Sequence, residues 1–403
     1  MTVPTARGGR PTVARIETFA LEHPLPKGGY GASKVVMQAR VCTAVKVTTS
    51  DGVVGWGESF GPPRHVAPFL ATFAEQLIGT PVDAREGFLL RSLETNYVLG
   101  QGGTHVAALS GLDIALWDAQ ARTYGVPLSH LLGGAVRDTV QAYASTGYVT
   151  PHRDLGEFRE QLQRAVDEGF TAAKIKVGTS PQEDRARTEI ARETLGADGT
   201  LMVDYNGSGT PDTVSRSLRA LLDLDPYWVE EPLPPVDHTG WGVIRDCGVP
   251  IAAGEALATR YAFRDPIAER RYDIVQPDLT KCGGYTEALA VVANAVAWNV
   301  RISPHCWGTG IAEAAVLQLL AHLPDQPYGS TGGTPQFLEF DRGPNPLREA
   351  VLVDPIRARG GRVDIPDAPG LGVAIAEDVI RDIALPGCSI DTASTHGPHR
   401  GLR

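Results

Sequence analysis

The sequence predicts an α/β protein, a closed eight-stranded (β/α) barrel behind an N-terminal α+β unit, on three observations. From Thr139 onward short apolar runs alternate with longer, helix-prone stretches. Ahead of that point β-like segments are followed by helical ones, with no such alternation. And nearly every apolar run after Thr139 ends in an ionisable residue. Alternation of strand and helix is the signature of a parallel sheet, and a chain of 403 residues is long enough to close that sheet into a barrel and still carry another domain.

The N-terminal unit is expected to cover residues 1–138. Val13–Leu21 reads as a strand, and Cys42–Thr49 turns at Ser50-Asp51-Gly52 into Val53–Glu58, the length and turn chemistry of an antiparallel hairpin. Val106, Leu109, Leu112, Ala115, Leu116 and Ala119 recur at three- and four-residue intervals, which marks a helix that Gly125 and Pro127 stop. Gly28-Gly29-Tyr30-Gly31 reads as a mobile loop and Trp56-Gly57-Glu58 as a strand end with a following loop. Either could close over the mouth of the barrel.

The barrel is expected over residues 139–345. Its eight apolar runs are Val140–Ala144, Ala172–Val177, Leu201–Tyr205, Trp228–Val229, Ile251–Ala253, Ile274–Val275, Val300–Ile302 and Phe337–Leu338. Helical segments such as Leu155–Glu168, Gln182–Leu195, Thr213–Leu224 and Thr286–Trp298 separate them. An open doubly wound sheet holding a dinucleotide would show a Gly-x-Gly-x-x-Gly turn, and a phosphate loop a Gly-Lys pair; the chain has neither. Residues 346–403 form a tail punctuated by Gly360-Gly361 and Pro366–Gly372, with a short amphipathic helix near Ala376–Ile383. A barrel closed by its eighth strand offers no edge, so the tail is expected to return to the N-terminal unit, with Ser389–Arg403 frayed.

Composition narrows the function. With 37 basic against 47 acidic residues the net charge is -10, which repels a phosphate backbone and disfavours nucleic acid. The 5 cysteines are odd in number, scattered, and without a Cys-x-x-Cys pair, which argues against disulfides and zinc and for a cytoplasmic location. The N-terminus lacks the apolar core of a secretion signal, and no run approaches the ~20 apolar residues of a membrane span.

The chemistry lies in where ionisable residues fall. Lys174 and Lys176 end the second strand, Asp204 the third, Glu230 the fourth, Glu255 the fifth, Asp278 the sixth, His305 the seventh and Glu339 the eighth. The C-terminal ends of parallel barrel strands share one mouth, so these residues are expected to converge there. Strand alternation puts Lys174 and Lys176 on one side, as it does Asp204 and Asn206, and favours Glu230 over Glu231 as the inward carboxylate.

Asp204, Glu230 and Glu255 would repel one another unless a hard cation lay between them, and oxygen donors with room for water and substrate favour Mg²⁺. Two lysines beside a dication favour loss of one proton, so Lys176, nearer the strand end, is the expected base, below the ordinary pKa of ~10.4. Lys174 would stay cationic against a substrate carboxylate. His305, with one imidazole nitrogen fixed by Asp278, reads as a second acid/base on the opposite substrate face. Glu339 would donate to a substrate carboxylate if protonated, or orient it. Asn206 and Tyr30 join Lys174 and Glu339 as expected substrate contacts.

These residues resemble the enolase superfamily, mandelate racemase subgroup. The likeness runs from Gly55-Trp56-Gly57-Glu58 through Ala108–Asp118 and Leu131-Leu132-Gly133-Gly134 to Asn345-Pro346-Leu347-Arg348. It rests most on Lys174-Ile175-Lys176, Val203-Asp204-Tyr205-Asn206, Glu230-Glu231-Pro232, Gly254-Glu255, Gln276-Pro277-Asp278 with Gly283-Gly284, Pro304-His305 and Leu338-Glu339. The resemblance implies a modified TIM (β/α) barrel under an N-terminal capping domain. It also implies one Mg²⁺ on Asp204, Glu230 and Glu255, a Lys base opposed by a His-Asp dyad, and a symmetric homo-oligomer, often an octamer. A muconate lactonizing enzyme would carry a lysine where Asp278 stands.

Ser303–Gly310 and Pro366–Gly372 look most like galactarolactone cycloisomerases and acid-sugar dehydratases. The expected reaction is removal of the proton α to a carboxylate of an acid sugar or its lactone, followed by β-elimination. Racemisation or epimerisation by the same two bases is the alternative within enzymes. A non-catalytic protein reusing the barrel is the alternative outside them, and a cluster of like charges speaks against it.

Overall fold

Backbone donors and acceptors of the first apolar stretch are satisfied in an antiparallel sheet. In the computed structural model, which describes residues 10–25, 28–326 and 334–393, Val13–Pro24 (β1) is followed by a small hairpin of Tyr30–Gly31 (β2) and Val36–Met37 (β3). Ala39–Thr49 (β4) then pairs with β1 and turns into Val54–Phe60 (β5) through the predicted Ser50-Asp51-Gly52 turn, where Gly52 takes φ +86°. Helices Pro63–Leu77 (α1), Arg85–Thr95 (α2) and Thr104–Tyr124 (α3) complete this unit, and α3 stops at Gly125 in the left-handed conformation, as the sequence predicts.

Helix α3 lies unusually close to β5 because glycines face each other across the contact. A Cβ on Gly57 would meet the Gly111 carbonyl oxygen at 2.2 Å, one on Gly55 the Ala115 carbonyl oxygen at 2.2 Å, and one on Gly111 the Ser59 Oγ at 2.2 Å. Around this seam Val45, Val47, Leu70, Phe73, Leu109 and Leu112 make an apolar core of their own.

Leu128–Leu131 (α4) leads into the barrel. Its strands and helices are Thr139–Thr146 (β6), Leu155–Asp167 (α5), Ala172–Lys176 (β7), Pro181–Leu195 (α6), Thr200–Asp204 (β8), Pro211–Arg219 (α7), Trp228–Glu230 (β9), His238–Ile244 (α8), Ile251–Ala253 (β10), Thr259–Ala268 (α9), Ile274–Val275 (β11), Gly284–Ala297 (α10), Arg301–Ile302 (β12), Gly310–His322 (α11) and Phe337–Asp341 (β13). Each of the eight predicted runs is a strand. They pair in parallel and in sequence from β6 to β12, with β13 returning to the free side of β6. Among the described residues no ladder joins β12 to β13. The predicted Thr213–Leu224 helix is shorter than expected, breaking after Arg219 into a separate turn at Leu222–Leu224.

Side chains plug the barrel's interior. Tyr143, Ala172, Met202, Trp228, Ala252, Ile274 and Phe337 form one buried apolar cluster, so the strand ends above it open onto a floor and not a channel.

The tail departs from expectation twice. After Pro346–Ala350 (α12), Ala358–Arg359 (β14) and Arg362–Asp364 (β15) form a hairpin that pairs with β6 at Thr139, Val140 and Gln141. The barrel does offer an edge, because β7 reaches β6 only from Ala144 onward and leaves the first residues of β6 free on that side. Glu377–Ile383 (α13) matches the predicted helix, but Ile390–Ala393 (β16) is an edge strand on β1 and not a frayed end. Residues 394–403 lie outside the described residues. All 5 cysteines are free, and no helix is long and apolar enough to cross a membrane.

Gly57→Val should force α3 off β5, since the clash is with backbone that cannot rotate away. Overpacking of this kind costs roughly 1–3 kcal/mol, and chemical unfolding should show that loss, whereas Gly52→Ala, with open space around it, should cost only the strain of its positive φ.

Candidate active site

The mouth is built by period-two alternation at strand ends. On β7, Lys174 and Lys176 both face inward; the Lys174 side chain is 0% exposed and the Lys176 side chain 9%, so Lys176 is the one that reaches the opening. On β9, Trp228 and Glu230 point to the same side, and the indole Nε1 donates to Glu230 Oε2 at 3.3 Å. Glu231, with φ +36°, turns the chain out of the strand. The remaining groups follow their strands directly, Asp204 ending β8, Glu255 after β10, Asp278 after β11, His305 after β12 and Glu339 within β13.

These side chains converge. One oxygen each of Asp204, Glu230 and Glu255 lies within 4.8 Å of the others. Lys176 Nζ is 2.5 Å from Asp204 Oδ2 at one flank of this trio, and His305 Nε2 is 3.1 Å from Glu255 Oε2 at the other. Lys174 sits beneath, bonded to Glu230, 2.9 Å from Glu339 Oε1 and 3.7 Å from Asp204 Oδ2. His305 Nδ1 is 2.8 Å from Asp278 Oδ2, and the other Asp278 oxygen accepts from the Thr280 N–H and hydroxyl at 2.8 and 2.6 Å. Gln276 Nε2 donates to Glu230 Oε2 at 2.7 Å, and the Cys306 N–H to Glu339 Oε2 at 3.2 Å.

Burial and charge compete at every group. Burial pushes Glu230 up to about 8, even against Lys174. It pushes up Asp204 too, but there Lys176 and Lys174 win and hold the carboxyl below its usual range. Burial lowers His305, yet Glu255, Glu339 and Asp278 outweigh it and bring the imidazole to about 9.

Two expectations change on these grounds. Burial is overcome at Glu339 by Lys174, His305 and Lys176, which hold it at about 2, so here it is an ionised acceptor, which favours the orienting role over donation. Burial also lowers Lys176, but Asp204 more than restores it, and the ammonium sits above its usual range. The protein's own groups therefore do not make Lys176 a free base; a positive charge among the carboxylates is what would do so.

The expected substrate contacts are mostly engaged with protein. The Asn206 N–H donates to Asp204 Oδ1 at 2.8 Å and its Nδ2 reaches Glu255 Oε1 at 3.4 Å, leaving its buried Oδ1 without a partner. The Tyr30 hydroxyl donates to the Pro344 carbonyl at 2.8 Å and accepts from Arg40 at 3.0 Å. Tyr30 thus builds the wall of the mouth: its ring lies 4.7 Å from that of Tyr148, whose face in turn lies 5.8 Å from Lys176 Nζ. The loop carrying it is docked on the barrel through paired backbone bonds between Gly31 and Val149, and Lys34 donates to the Gly207 carbonyl.

Sequence reasoning missed the rest of that wall. Buried Arg40 pairs with Asp341 at 3.0 Å, donates to the Trp307 carbonyl at 2.8 Å and lies 3.3 Å from the Trp307 ring centroid. Trp307 Nε1 donates to the Tyr148 hydroxyl at 2.9 Å, which donates to Asp341 Oδ1 at 2.7 Å. The available signal was an arginine heading the apolar stretch before Cys42 and a tryptophan two residues past the strand-end histidine. Glu58, expected at a strand end, lies within β5 and reaches the barrel.

Comparison with known proteins agrees with this geometry. Residues 15–133 match the mandelate racemase / muconate lactonizing enzyme N-terminal domain, and residues 157–379 match the enolase C-terminal domain-like family. The chain is similar to a D-galactarolactone cycloisomerase of Agrobacterium fabrum, 36% identical over 93% of this chain and 99% of that one. It is also similar to a D-galactonate dehydratase of Variovorax paradoxus, 31% identical over 83% and 89%. A crystal structure of a racemase from Streptomyces coelicolor with bound magnesium superposes with a TM-score of 0.81 at 27% identity, covering 93% of this chain and 100% of that one.

Lys174→Met should leave Glu230 and Glu339 buried beside each other without their shared cation. Removing one partner of a buried ion pair costs about 3–5 kcal/mol, to be read as a lower unfolding midpoint. Glu230, already raised to about 8, takes up a proton as pH falls through that value, and a raised carboxyl binds its proton more tightly folded than unfolded. Without Lys174, which lowers it, Glu230 rises further, so the deficit should shrink on acidification and grow as pH rises.

Proposed function

Because the chain belongs to the mandelate racemase / muconate lactonizing enzyme family, with its enolase-like C-terminal domain, we propose that it is a Mg²⁺-dependent enzyme that removes the proton α to a carboxylate of an acid sugar or its lactone and then expels a β-oxygen. The observation that carries the reading is the bracket: Lys176 and the His305–Asp278 pair stand at the two flanks of a three-carboxylate cluster.

The residues fit the metal. Asp204, Glu230 and Glu255 offer only oxygen, from three successive strands, and the lysines drawn onto them show negative charge in need of a counter-ion. When bound there, Mg²⁺ supplies a Lewis acid for the substrate carboxylate. Lys176 and His305 each face one side of the α-carbon; one takes its proton, and the other delivers a proton to the departing oxygen. Lys174, deeper and cationic, opposes the substrate carboxylate, ionised Glu339 holds Lys174 and the His305 loop, and Asp278 fixes the imidazole. The aromatic wall of Tyr30, Tyr148 and Trp307 keeps water from the reacting carbon.

The similarity to a protein named a D-galactarolactone cycloisomerase favours departure of a lactone ring oxygen over loss of water. Racemisation is the second reading, favoured by the same two-sided placement of bases and by the structural likeness to a racemase. We take residues 1–138 as the capping domain, 139–345 as the catalytic barrel and 346–403 as a segment returning to the capping domain, in a cytoplasmic homo-oligomer.

A panel of aldonic, aldaric and aldarolactone substrates, followed by NMR in D₂O with Mg²⁺, tests the proposal. Elimination gives a new unsaturated or keto acid; racemisation returns deuterated substrate of both configurations; neither turnover nor exchange across the panel would overturn it. Asp204→Ala and Glu255→Ala should each abolish Mg²⁺ binding by calorimetry together with turnover, and undiminished activity in excess chelator would contradict the metal. Of Lys176→Ala and His305→Asn, the variant lacking the abstracting base should lose α-proton exchange by at least the ~10² to 10⁴ that an oriented base contributes. Parental exchange and turnover in both would remove the bases from these strand ends.

A further inference from the structure

The N-terminal unit holds the two flanks of the site differently, touching the Lys176 side through the Gly31–Val149 backbone pair and the Lys34 bond to the Gly207 carbonyl. No hydrogen bond among the described residues links β7, which carries Lys176, to the N-terminal unit. The connections carrying Asp278 and His305 are instead gripped by that unit at several points. Phe60, the last residue of β5, donates its N–H to the Thr280 carbonyl at 3.0 Å, and Thr280 binds Asp278. On α3, Ser110 Oγ accepts from the Gly283 N–H at 2.8 Å, and Asp113 accepts from the Thr286 N–H and hydroxyl at 3.0 and 2.6 Å, at the start of α10.

Glu58 makes the corresponding contact on the next connection. From β5 its carboxylate accepts from the Thr309 N–H at 3.1 and 3.2 Å, from the Thr309 hydroxyl, and from the Ala312 N–H at 3.3 Å. Thr309 is the N-cap of α11 and closes the segment that bears His305 and Trp307. A Cβ on Gly308 would stand 2.5 Å from Glu58 Oε1, so the glycine is what lets the carboxylate in. Each of the two helices that follow the dyad strands therefore has its N-terminus capped by a carboxylate from the other unit.

We propose that Glu58 is a positioning residue for His305, fixing from the N-terminal unit the loop that presents the imidazole to Asp278 and to substrate. Anchoring of this kind is costly to the fold, because burial pushes Glu58 up to about 7 and Asp113 up to about 6 despite their threonine and backbone donors. A stable interface alone would be better served by an apolar contact. What the carboxylates add is direction, since several donors fix one orientation of the connection relative to the cap.

The catalytic arm of the test rests on the proposed reaction, and a spectroscopic arm does not. In the full-length, Mg²⁺-loaded protein, Glu58→Ala should lower kcat by about 10²-fold, the effect of misplacing a reacting group by an ångström, with KM and Mg²⁺ affinity nearly unchanged. Its pattern of α-proton exchange should follow that of His305→Asn and not that of Lys176→Ala. The low-field NMR signal of the His305 Nδ1–H should broaden through exchange with water, and this is readable even if no substrate is found. Glu58→Gln keeps an acceptor for Thr309 and should recover most of the activity and the signal. Thr309→Val, which removes the hydroxyl that donates to Glu58 and accepts from the Ile311 N–H without opening a cavity, should show the same loss more weakly, and it carries the test if Glu58→Ala does not fold. A parental kcat and a sharp Nδ1–H signal in Glu58→Ala, or equal loss of both faces' exchange, would overturn the proposal.

Discussion

Everything in this protein is arranged around the mutual repulsion of carboxylates in one mouth. Asp204, Glu230, Glu255, Asp278 and Glu339 are drawn together by strand ends, with Lys174, Lys176 and His305 paired among them. Two like charges 4 Å apart repel by about 4 kcal/mol at an effective dielectric of 20. No loop would hold such a cluster. Short parallel strands do, because their ladders fix each carboxylate's origin and the apolar plug of Tyr143, Trp228 and Phe337 forbids collapse beneath them.

That constraint explains why the two lysines on one strand are not equivalent. Lys174, wholly buried, is surrounded by Glu230, Glu339 and Asp204, so the acids overcome its burial and raise it well above its usual range. It is the permanent counter-charge that makes the floor of the site possible. Lys176 has a single close partner, Asp204, and the residual exposure that a proton carrier needs. The same logic separates Glu339 from Glu230: both are buried, but Glu339 has Lys174, His305 and Lys176 around it and is ionised, whereas Glu230 stays high.

The barrel and its charged rim were legible because they depend on local rules. Apolar runs one βα unit apart specify strands, alternation specifies faces, and an ionisable residue after each run specifies the mouth; all eight runs and the convergence of Asp204, Glu230, Glu255, Asp278, His305 and Glu339 follow from those alone. What was not legible depends on contacts distant in sequence. Nothing local distinguishes Ile390–Ala393 from a frayed end, since its partner is β1 at the other end of the chain. Glu58 looks like a surface carboxylate until α11 is placed above it, and Arg40 looks like a strand-edge charge until Asp341 and Trp307 close around it. The ionisation of Glu339 could not be read because it turns on how many cations touch it.

A division of labour follows from which forces act at long range. The carboxylates, Lys174 and Lys176 interact through charge inside one barrel, so its strands set most of their arrangement, and the cap touches that side through the Lys34 bond to the Gly207 carbonyl and the Tyr30–Tyr148 wall beside Lys176. The His305 side and the aromatic wall depend on hydrogen bonds and packing across two units, through Glu58, Asp113, Arg40 and Tyr30, and these fall off within one bond length. Changes in the cap therefore act most directly on the shape of the mouth and the seat of His305, and less on the metal-binding set. A fold so divided can exchange one acid-sugar elimination for another, or for simple racemisation, by remodelling its N-terminal unit, and relatives with cycloisomerase and dehydratase activities on one architecture are what that separation of forces leads one to expect.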